Sequence, residues 1–344
     1  MALVIYWYDF ICFAIVAGVI FLSLTVLLLK EGNGKRKDDQ TIYESLLVLH
    51  SDRDGFEDEG LLRRSGYLHS TQLWTTCWRR LHPAWLLALR MLCTALMVAL
   101  LLCDVGRYDA SIFLYYTEWT FALVIVYFAL GTVISAHGCW TCSKKPEYEE
   151  SDHLLKRNLE ECNKSSTTIS FRSNKIKGTI KLQSHQEQEE TEQRAGFWGC
   201  LMGTIYQTCA GAVILTDLVF WFILVPFLSN EHFRLNLLMG CMHTLNVVFL
   251  LLDTALNRLS FPWFRLGYFV LWSCTYIIFQ WVLHACGFTW WPYPFLELST
   301  PWAPLWYFSL AVIHIPCYGI YALVVKAKSD VFSRFFPSAY IRSN

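Results

Sequence analysis

The sequence predicts an all-α integral membrane protein of seven transmembrane helices, on three observations. The 344 residues are 55% hydrophobic and 16% aromatic. Only 16% are charged, where a soluble domain carries about a quarter. Apolar windows of about 20 residues, the length that crosses roughly 30 Å of hydrocarbon, recur along the chain. Lysine and arginine fall almost wholly in alternate connecting segments, which gives the helices a direction.

The windows read, in order, Phe10–Leu29, Ala84–Cys103, Ser111–Ala136, Met202–Leu228, Asn236–Leu256, Leu266–Cys286 and Trp302–Val325. The first has no Lys or Arg ahead of it, no small-residue cleavage site after it and a long apolar core, so it reads as an anchor rather than a cleaved signal. With the N-terminus outside, segments 30–83, 137–201, 257–265 and 326–344 face the cytosol. They hold nine, ten, two and four basic residues, 25 of the 28 in the chain. Arg107 and Arg234 are outside and Arg90 lies within the second helix. The opposite orientation reverses that excess. The prediction is N-terminus out and C-terminus cytosolic, in an endomembrane or the plasma membrane.

The chain thus divides into an anchor (1–30), a cytosolic loop (31–83), helices two and three (84–136), a second cytosolic loop (137–201), helices four to seven (202–325) and a cytosolic tail (326–344). The loops are rich in Ser, Glu, Lys and Gln and read as flexible. The end of the first, with Leu73, Trp74, Trp78, Arg79, Arg80, Leu81 and Trp85, suits the headgroup level. Asn163-Lys164-Ser165 fits the glycosylation pattern but faces the cytosol on this topology and stays bare. The 13 cysteines are scattered, mostly within helices. Cys139 and Cys142, just past the third helix, are lipidation candidates; a lone C-x-x-C without a second pair is weak evidence for zinc. Zero formal net charge argues for no nucleic-acid partner, and membrane lipids are the expected contacts. No metal or organic cofactor is called for.

Polar groups at membrane depth carry the functional information, because an ionisable residue there is costly and marks a site or a helix contact. His243 lies in an otherwise apolar helix. Counted from Asn236 it is about seven residues deep, and Thr117, counted from Ser111, about six, on the order of 9 Å at 1.5 Å per residue. A threonine hydroxyl and an imidazole at one depth suggest nucleophilic chemistry, with His243 taking the Thr117 proton as it attacks an acyl carbon. Asp217 and Glu118 are candidates to orient the ring, Asp217 the better placed because it is in a helix interior. His284 and His314 share the outer half, and Glu297 lies in the outer loop between their helices. Asp253, near the inner end of helix five, is expected to pair with Arg258 or reach the interface. The structural alternatives are ordinary: a membrane threonine bonds back one turn, and a histidine joins neighbouring helices.

Residues 236–298 carry a resemblance. The run Gly240-Cys241-Met242-His243-Thr244, then Asp253, Tyr276-Ile277-Ile278 and Trp291-Pro292-Tyr293-Pro294-Phe295-Leu296-Glu297, resembles the androgen-induced / FAR-17a family of multipass membrane proteins. Tyr116-Thr117, with Phe121, Tyr127 and Phe128, is similar to that family's threonine-bearing helix. The likeness covers six of the seven helices. The first helix and the long loops have no counterpart in the small animal members, and YYTEWTF and HPAWLL look like a plant-type branch. The resemblance implies a threonine nucleophile and a histidine that cleave fatty acid esters of hydroxy fatty acids, falling here on Thr117 and His243, with Thr120 close by. Rolling stone relatives imply the alternative, a non-catalytic protein of adhesion, fusion or scaffolding. A receptor or transporter lacks the expected Asp-Arg-Tyr and Asn-Pro-x-x-Tyr landmarks.

Overall fold

A computed structural model of the chain describes the backbone of residues 6–48, 70–163, 196–227 and 237–342 and side chains within 6–31, 70–143, 196–226 and 237–342. The loop centres, Lys164-Ser165 and Arg234 lie outside the described residues. Among the described residues seven helices are long and apolar enough to cross a membrane, so the chain is a multipass membrane protein of all-α fold. They are α1 (Trp7–Val48), α2 (Ala84–Tyr108), α3 (Tyr116–Asn163), α4 (Phe197–Val219), α5 (Leu237–Leu256), α6 (Leu266–Ala285) and α7 (Ala303–Phe335). Helical backbone in α1 and α3 continues past the apolar stretches Trp7–Glu31 and Tyr116–Ser143 into the polar segments.

Helix α4 is the hub. It packs on α3, α5, α6 and α7, while α1 lies against α6 and α7, and α2 against α3 and α5. The sequence allows this because α4 is rich in small residues: Gly203, Ala210, Gly211 and Ala212 are all buried. Without a strong hydrophobic drive between helices in lipid, close backbone approach and polar contacts hold the bundle. Gly211 of α4 is such a close approach. A Cβ there would stand 2.4 Å from the Phe269 ring of α6.

Arg90 lies toward one end of the bundle and Tyr293 toward the other. At the Arg90 end a buried polar network joins α2, α3 and α5. Arg90 Nε meets Asp253 Oδ1 at 2.8 Å, both side chains being fully buried. Asp253 Oδ2 accepts from Tyr127 OH at 2.5 Å and from Asn257 Nδ2 at 2.8 Å. Arg90 Nη1 donates to the Leu73 carbonyl and to Ser135 Oγ. This corrects the expectation that Asp253 pairs with Arg258 or snorkels. Asp253 lies on the same face of α5 as Asn246 and Leu250, all turned to the interior, and Arg90 enters that interior from α2. Desolvation makes each charge the other's necessary partner. Arg258 stands near Cys77 and Tyr340, and burial lowers its pKa.

The segment before α2 packs in rather than lying only on the surface. Leu73 and Cys77 are buried while Trp85 is exposed, and the Trp74 ring sits over Gly138. Cys77 N donates to the Leu256 carbonyl and Ile341 N to the Cys77 carbonyl, so the residues after α7 close this end.

The third span also starts later than expected. Residues Asp109–Leu114 form 3-10 turns, entered through Asp109 at φ 62°, and α3 begins at Tyr116. The Leu114 carbonyl accepts from Tyr276 OH and Gln280 Nε2 of α6, at 2.7 and 2.8 Å. Thr117 is therefore in the first turn of its helix, and the equal-depth count that paired it with His243 loses its basis. Which end faces outside is testable: a glycosylation acceptor appended ahead of Met1 is expected to be modified in cells, and Asn163 is not. An endoglycosidase-sensitive shift arising from Asn163 would reverse the orientation.

Candidate functional site

A cavity of about 70 Å³ lies toward the Tyr293 end, between α3, α4, α6, α7 and the 293–296 segment. Leu215, Val219, Leu224, Ile277, Phe295, Leu296 and Leu310 make its wall almost entirely apolar. Tyr116, Thr117, Thr216, Ser273, Tyr276, Tyr293 and His314 supply its polar atoms. Such a pocket, mostly apolar with a few convergent polar groups, is the usual form of a small-molecule site.

The polar atoms are ordered. His314 Nδ1 is 2.6 Å from the Leu310 carbonyl one turn back in α7, and Nε2 is 2.8 Å from Ser273 Oγ of α6. Ser273 Oγ is in turn 2.8 Å from Tyr116 OH of α3. Three helices thus meet through one hydrogen-bonded chain. Burial pushes the Tyr293 phenol up to about 12, while hydrogen bonding with Thr117 acts in the other direction. Tyr293 is neutral at ordinary pH and serves as a hydroxyl partner for the threonine.

Thr117 is the one residue of the predicted pair in the cavity wall; His243 is not among the lining residues. His243 is buried and its ring stacks on Phe220, 3.6 Å between centroids and 11° between planes. Its Nδ1 is 3.7 Å from Asp217 Oδ1, ion-pair range but longer than a hydrogen bond. The structure therefore brings His243 and Asp217 together. Immediately after Asp217 and Val219, residues Phe220–Leu224 widen into a π-helical turn, a local irregularity frequent at functional sites. Asn246, one turn beyond His243, is fully buried and neither of its amide atoms has a hydrogen-bond partner among the described residues.

The other predicted residues stand apart from the cavity. Glu118 is buried near Asp104. His284 stacks on Trp291 at 3.5 Å and bonds to the Gln280 carbonyl. Glu297 accepts a hydrogen bond from Ser299. Thr120, one turn after Tyr116, is fully buried. Cys139 is half-buried and Cys142 exposed, both in the last apolar turns of α3. Among the described residues no three His, Cys, Asp or Glu cluster as a metal site.

The comparisons give no relative. No family model, no curated protein and no solved structure matches the chain. The site is therefore read from its own atoms. Sequence reasoning had His314 in the right half of the bundle but missed Ser273. A serine among Trp272 and Cys274 in a membrane helix carries no local signal; its role appears only when α7 brings an imidazole to it.

Proposed function

We propose that this protein is an intramembrane lipid hydrolase that cleaves a fatty acyl ester, of the kind joining a fatty acid to a hydroxy fatty acid. The observation that carries the reading is the apolar cavity with Thr117 and a second set of hydroxyls in its wall. An acyl chain entering from the bilayer meets Leu, Ile, Val and Phe side chains, and its ester oxygens meet hydroxyl donors. The resemblance to the androgen-induced / FAR-17a family supports the same substrate class and assigns nucleophile and base to Thr117 and His243. In that assignment Thr117 Oγ attacks the ester carbon and His243, beside Asp217 but outside the cavity wall, is the base.

The test is covalent labelling with an alkyl fluorophosphonate, alongside fatty acid release from such an ester by the purified protein. Wild type is expected to label and to release fatty acid. Absence of both defeats the hydrolase reading and leaves the non-catalytic one. Thr117→Ala tests the assignment within it: labelling that survives removes Thr117 as nucleophile and leaves the hydrolase standing. Asp217→Asn tests the orienting role, since general acid–base assistance contributes about 10²–10⁴-fold. If Asp217 orients the base, ester cleavage falls at least tenfold at unchanged melting temperature.

A further inference from the structure

We propose that Ser273 and His314 form a nucleophile–base dyad facing the cavity, with Tyr116 as the hydrogen-bond donor at the reacting oxygen. This rests on the reading that the cavity takes an acyl ester, and it names which hydroxyl attacks.

The direction of each hydrogen bond follows from its ends. A backbone carbonyl only accepts, so the 2.6 Å contact to Leu310 fixes the proton of the neutral imidazole on Nδ1. Nε2 then carries a lone pair, and Ser273 Oγ at 2.8 Å is its donor. Tyr116 OH, 2.8 Å from the same oxygen, must donate to it. A serine hydroxyl polarised by a histidine of fixed tautomer is the arrangement nucleophilic catalysis needs, with the carbonyl in the orienting place of a carboxylate. A serine in a membrane helix can satisfy itself on the carbonyl four residues back. Ser273 has that carbonyl, Phe269 O, at 3.3 Å, yet lies closer to the imidazole. The Phe269 ring, 4.5 Å from His314 between centroids, backs the imidazole. Ser273 and His314 are otherwise buried, and both line the cavity, so what reaches them comes through it.

The step balances without a cofactor. Ser273 Oγ bonds to the acyl carbon as its proton passes to His314 Nε2. The C–O bond to the alcohol breaks, and that proton goes to the leaving alkoxide. Water then attacks the acyl-serine, giving its proton to Nε2, and Ser273 recovers it as the fatty acid leaves. Tyr116 OH remains a donor beside the reacting centre, where charge develops.

The experiment is peptide mapping of the full-length wild-type protein after reaction with an alkyl fluorophosphonate. The adduct is expected on Ser273. An adduct on Thr117, Thr120 or any other residue overturns the dyad while leaving the hydrolase reading intact. No adduct at all also overturns it, and the hydrolase reading then falls only if ester cleavage is absent too. His314→Gln, whose amide oxygen can still accept from Ser273, is expected to label about 100-fold more slowly or worse. Labelling of this variant at the wild-type rate, with an unchanged melting temperature, overturns His314 as base.

Discussion

Replacing Asp253 with leucine is expected to destabilise the bundle by about 3–5 kcal/mol, because it leaves Arg90 charged, buried and without its carboxylate. Arg90 and Asp253 are both fully buried and 2.8 Å apart, so no solvent replaces the lost partner. Arg90→Met should cost a similar amount, since it strands the carboxylate instead. Tyr127 and Asn257 still donate to Asp253, but two neutral hydrogen bonds do not replace a guanidinium. The double variant Arg90→Met with Asp253→Leu is expected to be much more stable than the sum of the singles, as coupled neighbours deviate from additivity by about 0.5–3 kcal/mol or more. Equilibrium unfolding of the four proteins in one detergent measures this cycle. Additive singles, or singles costing under about 1 kcal/mol, would mean that the pair contributes little.

Gly211→Ala is expected to lower stability by about 1–3 kcal/mol through overpacking, although alanine is favoured over glycine within a helix by about 1 kcal/mol. The new methyl would sit 2.4 Å from Phe269 Cδ1, and that ring is fully buried with nowhere to retreat. Because Phe269 also backs His314, α6 must shift relative to α7 and the Ser273–His314 contact lengthens. The same change at Gly18, where nothing lies within 4 Å, should be neutral or slightly stabilising. Adding Phe269→Leu to Gly211→Ala is expected to restore part of the loss. Melting temperatures of the three variants separate steric conflict from propensity; equal behaviour of Gly18→Ala and Gly211→Ala would deny the close α4–α6 approach.

The site was legible only in part. Thr117, His243 and Asp217 stand out as polar groups in apolar helices, and one of the contacts suggested by the sequence, His243 with Asp217, is present at 3.7 Å. Counted from Ser111, Thr117 falls at the depth of His243, but a positive φ at Asp109 and the 3-10 turns after it postpone the helix to Tyr116. Ser273 was invisible for another reason. Serine is common in membrane helices, and only its partner on α7, 41 residues away, distinguishes it.

The sequence by itself determined the number of apolar spans, the start of α2 and the ends of α5 and α6, because apolar length and the placement of charge are properties of each segment alone; α1, α3 and α7 run beyond their apolar windows. The sequence also marked His243 and His314 as polar groups at membrane depth. The tertiary structure alone decided their partners. A buried charge or imidazole accepts whichever polar group packing brings within about 3 Å, and that choice joins residues as far apart as Arg90 and Asp253, 163 positions along the chain. Hydrophobic periodicity says that a face is buried; what it is buried against depends on how seven helices settle around α4.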